Sequence, residues 1–384
     1  MWNRTENSVI DNYCLNSDFI GIDMEPIHPD IARAKTIDTN FYNSPEYYKL
    51  ALEKIIVPSW QFIGDTSLLP ISSACYPFTL LPGSLDEPLV LTRDEEGIHC
   101  LSNVCTHRGN IVVSEPCKAG QLRCRYHGRA FQLNGKFKSM PEFKEVCDFP
   151  ASSDDLPSLP VFQWGNLLFT CLEKKYAPEI FLGDMISRVG WLPLEDFVYQ
   201  PERSKEYLVN ASWALYCENF LEGFHIPFVH SGLNAAIDYG NYTTELFEYS
   251  SLQIGIGKDE DACFTLPENH IDHGKKIAAY YFFIFPNMMF NFYPWGLSLN
   301  VIEPNGVGHT KIRFLTYLWK EKHFNKGAGA NLDKVELEDE EVVENVQKGV
   351  RSRLYHYGRY SVTREQGTHH FHRIIASLLQ NHIA

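Results

Sequence analysis

The chain lacks any hydrophobic run long enough to cross a bilayer. Its longest, residues 277–285, is nine residues and stops at Pro286, against about 20 for a spanning helix. The first residues lack the basic-then-apolar order of a signal peptide, so no export signal is expected. Positive charge is also scarce. Lys and Arg number 34 against 48 Asp and Glu, a net charge of −14, which argues against nucleic acid or anionic membrane as a partner. No Gly-rich dinucleotide fingerprint occurs in a strand-to-helix context, so hydride is not taken directly from a nicotinamide. No internal repeat or low-complexity tract is present. Cysteine is not scarce: there are ten. In the cytoplasmic, reducing setting expected here, clustered cysteines read as metal ligands rather than disulfides.

Residues 1–43 are polar and irregular and read as an N-terminal arm. Ser44-Pro45-Glu46 is a helix start, with a capping serine, proline at the first helical position and an acid in the first turn. Tyr48, Leu52, Ile55 and Ile56 continue it as an apolar stripe, which Pro58 ends. Short β-rich runs at 78–81, 89–92, 111–113 and 167–170 alternate with turn residues and predict a small antiparallel β domain. The loosened segment after residue 175 sets the boundary, giving a first domain over 44–175 with a leading helix. Residues 176–384 mix strands at 207–211, 278–285, 288–293, 297–302 and 311–320 with helices at 214–225, 333–355 and 364–380. The class is α+β.

The strongest local feature is Cys105-Thr106-His107 followed, sixteen residues later, by Cys124-Arg125-Tyr126-His127. Each half supplies one thiolate and one imidazole from a tight loop. A Rieske [2Fe–2S] cluster needs two cysteines on one iron and two histidines on the other. A Cys₂His₂ zinc site is the competing reading, but zinc fingers pair cysteine with cysteine and sit in a ββα setting that is not seen here. Residues 105–138 carry seven Lys or Arg and one acid. That cationic rim favours a reduced cluster and suits an acidic electron donor or a neighbouring subunit, although ordinary solvated surface reads the same way.

A second constellation lies in 217–230. His225 and His230 are five apart, about 140° around an ideal helix and too wide for one metal. Pro227 between them is expected to break the helix and swing them together. A non-haem iron(II) site takes two histidines and one carboxylate. Asp339 is preferred for the acid because Asp339, Val343, Val346, Val350 and Leu354 form one helical stripe. Glu336, Glu338, Glu340 and Glu341 remain alternatives.

Both segments resemble the large (alpha) subunits of Rieske non-haem iron oxygenases. The first carries Cys105-Thr106-His107-Arg108-Gly109 and Cys124-Arg125-Tyr126-His127-Gly128, with Arg129 where the family most often has tryptophan. The second carries Glu218-Asn219, Glu222, His225 and His230, with Asp339, Glu344 and Gln347 as the distal segment. The chain looks most like the choline monooxygenase group, then like aromatic ring-hydroxylating dioxygenases. The resemblance implies a Rieske [2Fe–2S] antiparallel β domain followed by a helix-grip catalytic domain, an antiparallel sheet around a long helix. It implies cluster ligands Cys105, His107, Cys124 and His127. It implies a mononuclear Fe(II) held by His225, His230 and Asp339, with Glu222 bridging His225 to His127 of the next subunit in a homotrimer and Asn219 as a polar neighbour. It implies a terminal oxygenase that takes electrons from an NAD(P)H-dependent flavin/iron–sulfur reductase. With O₂ it would hydroxylate, dihydroxylate or demethylate a small quaternary ammonium or aromatic substrate. The alternative is a Rieske-type electron carrier with a non-catalytic ligand-binding domain. His369, His370 and His372 are expected to be surface or interface residues of the last helix.

Overall fold

The computed structural model describes residues 24–236, 238–258, 263–324, 326–330 and 332–380. The rest of the expected N-terminal arm, residues 1–23, lies outside the described residues.

The second half is built on an eight-stranded antiparallel sheet. From one edge, Val198–Tyr199 pairs with Thr310–Leu318, which also takes Lys205–Val209. Gly296–Pro304, Met288–Tyr293, Ile277–Ile284, Ser250–Ile256 and Thr243–Leu246 follow in order. Its central strands are buried on both faces: every residue of Met288–Tyr293 and of Gly296–Pro304 is buried. Met288–Tyr293 accordingly reads as an apolar run broken only by Asn291, whereas Gly296–Pro304 buries the polar Ser298, Asn300 and Glu303 among its apolar residues. One face packs helices. Phe371 on the last helix, Gln366–Leu379, meets Phe283 at 5.4 Å and Trp213 at 6.0 Å between ring centroids. The long helix Leu332–Val350 packs chiefly against Trp213–Phe220, which itself lies on the sheet. The other face receives the first half of the chain. Phe169 faces Phe290, Trp164 faces Phe292, and the Tyr317 hydroxyl donates to Asp65 at 2.8 Å.

The first half holds three small antiparallel sheets. Five strands run in the order Cys117–Lys118, Ala74–Leu80, Glu87–Arg93, Ile98–Ser102, Ser158–Leu159. Gln61–Asp65, Leu167–Thr170 and Val161–Trp164 make the layer against the large sheet. Leu122–Arg123, Ala130–Phe131 and Phe137–Ser139 complete the set. The strand expected at 111–113 is reduced to a single bridge between Val104 and Ile111.

The leading helix forms where the sequence places it, as Pro45–Ala51, with the Ser44 hydroxyl accepting from the Glu46 and Tyr47 N–H groups. Its allegiance differs from the expected one. It continues through a π turn, Leu52–Ile56, that packs against Gln366–Leu379. Just before it, the Tyr42 hydroxyl donates to Glu218 at 2.7 Å, and Asn43 donates to the Val350 carbonyl at 2.9 Å. The arm and helix therefore lie on the second half, because their buried side chains find apolar partners there. Among the described residues, no helix is long and apolar enough to cross a membrane.

Candidate metal centres

The two Cys/His loops are built alike. In the first, the Cys105 N–H donates to the Asn110 carbonyl and the Gly109 N–H donates back to the Cys105 carbonyl, both at 2.9 Å. In the second, Cys124 donates to Arg129 at 2.9 Å and Gly128 to Cys124 at 3.1 Å. The returning turn needs a positive φ, +69° at Gly109 and +76° at Gly128, which only glycine adopts without strain. The loops bring the His107 and His127 rings to 4.7 Å, edge to face. Cys105 and Cys124 are buried beneath them. Burial raises the Cys105 thiol. Burial also acts on Cys124, but the Tyr126 N–H, the Cys105 thiol, the Asn110 amide and the His127 N–H together outweigh it and hold that thiol below the ordinary value. Two thiols under two imidazoles, with N–H donors aimed at sulfur, fit a [2Fe–2S] cluster ligated by two Cys and two His. His127 is exposed, with the Tyr126 ring tilted against it at 3.7 Å between centroids, so the histidine pole faces outward.

Arg129, counted above in the cationic stretch, is not part of an exposed rim, as its side chain is only 2% exposed. Its guanidinium sits 5.2–5.8 Å from the Phe131, Phe137 and Phe149 rings and donates to the Asp154 carboxylate at 2.5 Å. The Asp154 carbonyl also accepts from Arg129 and from the Thr106 hydroxyl at 2.8 Å. Asp154 thus ties the segment after the second loop to the interior of the first. Asp154→Ala leaves the buried guanidinium without its counter-ion, a loss of about 3 kcal/mol. We expect cluster bleaching in denaturant to begin earlier while iron at the second centre is retained. Unchanged bleaching would remove the clasp role.

The second centre is held by a helix that ends earlier than its sequence suggests. Trp213–Phe220 stops before Glu222, and Ile226–Val229 begins a new short helix with Pro227 in its first turn. The proline therefore starts a helix instead of breaking one, and the reversal lies in 221–225. There the Glu222 carboxylate accepts from the N–H groups of Phe224 and His225 and lies 2.6 Å from His225 Nδ1. Glu222 thus reaches His225 through a capped turn, not along a shared helix face. His225 Nε2 is 3.6 Å and His230 Nε2 2.9 Å from Asp339 Oδ1. The ligand atoms of all three lie within 4.8 Å of one another. Glu338, one of the alternative acids, is 2.8 Å from His230 Nδ1 on the far side of the ring. Burial disfavours a charged His230, yet Asp339 and Glu338 outweigh it and hold its pKa above the ordinary value. The arrangement surrounds a positive charge, and a metal cation displaces such a proton. Two histidines and one carboxylate on one side fit the facial donor set of non-haem iron.

On the helix Leu332–Val350, Asp339, Val343, Gln347 and Val350 are buried. Val346 and Leu354, expected on that stripe, are 43% and 95% exposed, the latter beyond the helix end. Gln347 fills the stripe instead, accepting from the Ser212 N–H at 2.7 Å. The terminal histidines are also corrected. His372 is fully buried, between the Tyr360 hydroxyl at 2.6 Å and Glu218 at 3.1 Å, and the buried His369 lies 2.9 Å from the His28 carbonyl. His370 is half-buried.

A pocket of about 690 Å³, its open mouth included, adjoins the three donors. Asn219 lines it, as do residues that sequence reading left unassigned. The strand register lays Gln253, Tyr281 and Asn291 in one row and Met289 beside Asn300. Tyr216, Tyr242 and Tyr293 add rings, and Glu336 adds a carboxylate that accepts from the Tyr216 hydroxyl at 2.7 Å. Burial, with Asp339 adding repulsion, pushes Glu336 up to about 8. Burial also raises the phenols of Tyr242, Tyr281 and Tyr293.

Comparison with known proteins agrees in both halves. Residues 60–159 match the Rieske [2Fe-2S] domain, and 194–381 match the ring hydroxylating alpha subunit, catalytic domain. Chloroplastic choline monooxygenase of Arabidopsis thaliana is 29% identical over 364 residues, 90% of this chain and 83% of that one. The carnitine monooxygenase oxygenase subunit of Escherichia coli K12 is 24% identical over 366 residues, 91% and 95% of the two chains. Among solved structures, a quaternary ammonium Rieske monooxygenase with L-carnitine superimposes at a TM-score of 0.71, 21% identity, over 92% of this chain and 97% of that one. A Rhodococcus naphthalene 1,2-dioxygenase with indole does so at 0.70, 17% identity, over 91% and 95%.

Proposed function

The chain belongs to the Rieske non-haem iron oxygenases, as a terminal oxygenase (alpha-type) component supplied with electrons by a partner reductase, and from that premise we propose that it oxidises a small organic ammonium compound. The observation that carries the substrate class is the pocket: aromatic rings and an acid beside the three donors, with no Lys or Arg among the described lining residues. Rings attract cations through their faces. The choline- and carnitine-oxidising relatives support the same reading.

The cluster, when bound, relays single electrons and the mononuclear iron supplies the chemistry of O₂ reduction. Cys105, Cys124, His107 and His127 would hold the first, and His225, His230 and Asp339 the second. Glu222 fixes the His225 ring through Nδ1, leaving Nε2 toward Asp339. Glu338 does the same for His230. Exposure of His127 suits electron transfer across a subunit boundary, with Glu222 as the bridge in a homotrimer. Exposed Arg108 and Arg125 within the two ligand loops, with exposed Lys118, Arg123, Lys136 and Lys138 elsewhere in the same domain, suit an acidic flavin/iron–sulfur reductase. Electron-transfer rate is then expected to fall steeply with added salt. Described cysteines that form no disulfide suit a reducing, cytoplasmic setting.

The alternative electron carrier with an inert second domain leaves the convergent donors and their adjoining pocket without a role. Iron analysis separates the two: about three irons per chain for the oxygenase and about two for the carrier. The substrate class is tested by O₂ uptake with a reconstituted reductase. Stimulation by trimethylammonium compounds is expected. Stimulation by neutral aromatics alone would overturn the proposal.

A further inference from the structure

The pocket holds more specificity than a general affinity for cations, and the argument rests on the ammonium reading above. Three carboxylates line it: Glu222, Glu336 and Asp339. Glu222 and Asp339 are committed to His225 and His230. Glu336 has one hydrogen bond among the described residues, from the Tyr216 hydroxyl. Among the described residues no histidine, lysine or arginine forms an ion pair with it, although the charge of His230 is felt there. The rings of Tyr242, Tyr281 and Tyr293 line the same pocket, with Tyr281 at 6.4 Å from Tyr242 and 5.9 Å from Tyr293 between centroids.

The polar groups of the sheet row have a different character. Gln253 and Asn291 are 2% and 5% exposed, and both line the pocket. The Gln253 amide nitrogen donates to the Phe220 carbonyl at 2.6 Å, which fixes the orientation of its amide. Among the described residues its oxygen and that of Asn291 are buried without a partner, and so is the Tyr281 hydroxyl between them. Buried acceptors of this kind call for a donor from a ligand or water. A hydroxyl meets that need. A hydroxyl can also accept from Tyr281, whereas a carboxylate meets only that one donor and opposes both oxygens, and no Lys or Arg among the described lining residues offsets its charge.

We propose that Glu336, held by Tyr216, seats the substrate's ammonium group, and that the pocket selects cations bearing a hydroxyl over zwitterions bearing a carboxylate. Burial leaves Glu336 largely protonated at neutral pH while the pocket is empty, and an ammonium group beside Tyr216 and Glu336 favours loss of that proton, so Glu336 and the rings together attract the cationic end. Gln253 and Asn291 receive the hydroxyl end. A carboxylate there would face two acceptor oxygens in a site that already holds three acids, and like charge brought together without water between is strongly unfavourable.

The test is calorimetric binding to the iron-loaded, full-length protein. The probes are choline, its uncharged isostere with a tert-butyl group in place of trimethylammonium, and γ-butyrobetaine. Wild-type protein is expected to bind choline about tenfold or more tightly than either of the others. Glu336→Gln is expected to bring choline and the uncharged isostere to within about twofold, and Tyr216→Phe to shift the ratio the same way by less. Retention of the full cation preference in Glu336→Gln would overturn the seat. Binding of γ-butyrobetaine as tight as choline would overturn the selection against carboxylates. The wild-type series tests that selection without any variant, so a Glu336→Gln protein that fails to fold leaves it decided. Should no ammonium compound bind wild-type protein with both metal centres loaded, the ammonium reading falls too. A cation preference that does not depend on Glu336 removes only the present inference.

Discussion

Glu222→Gln is expected to lower substrate-dependent O₂ uptake about a hundredfold while both metal centres stay loaded. The reason lies in how many groups one carboxylate serves. One oxygen of Glu222 faces His225 Nδ1 at 2.6 Å, and the other accepts from the N–H groups of Phe224 and His225. Glutamine offers one acceptor in place of two. If its oxygen takes the imidazole, its NH₂ points at two N–H donors, and the turn over 221–225 loosens. If its oxygen takes the turn, the NH₂ meets Nδ1–H and the ring loses its orientation. In either case the connection between His225 and an incoming redox partner loses its anionic link. Because Glu222 binds neither metal directly, iron content and the resonance signal of the reduced cluster should remain those of the wild type. The decisive measurement is single turnover of pre-reduced protein. Product should fall with O₂ uptake if Glu222 is the link between the two centres. Glu222→Asp keeps the charge but is one methylene too short to serve both sides, so an intermediate rate is expected. Normal uptake in Glu222→Gln with both centres intact would remove the bridge role.

The parts of the site that sequence made legible are those in which chemistry is local. Each Cys/His loop closes within six residues, so its spacing carries its geometry. Leu167–Thr170 and Met288–Tyr293 form where their apolar runs place them. What was not legible depends on distant partners. Pro227 is compatible with a broken helix and with the first turn of a new one; the capped turn at Glu222 decides between them. Arg129 looks like surface charge until Asp154 and three Phe rings surround it. His372 looks like a surface residue until Tyr360 and Glu218 satisfy both its nitrogens. The pocket row is the clearest case. Gln253, Tyr281 and Asn291 come from three strands, and only the pairing register places them on one face. A slip of one residue would turn any of them away.

Asp339→Ala is expected to strip the second centre and leave the first untouched: iron falls from about three to about two per chain, O₂ uptake drops to background, and the reduced-cluster signal persists. The neighbouring acid provides the contrast that makes this result specific. Glu338 and Asp339 grip opposite sides of one imidazole, at 2.8 Å from Nδ1 and 2.9 Å from Nε2 of His230. Only the Nε2 side also has His225 within reach, at 3.6 Å from the same Asp339 oxygen. A metal shared by both histidines must therefore lie beside Asp339. Glu338 acts through the ring, fixing which nitrogen is free. Glu338→Gln is accordingly expected to weaken iron retention by about 10–100-fold rather than abolish it, a difference that dialysis against a graded chelator resolves. Loss of fold does not mimic the Asp339 result. Glu336, Asp339 and Glu340 repel one another, while Asp339 also pairs with His230; in the iron-free protein relief of the first offsets loss of the second, and the thermal midpoint should change little. A stable Asp339→Ala protein that still holds about three irons would instead pass the third ligand to another acid of the same helix.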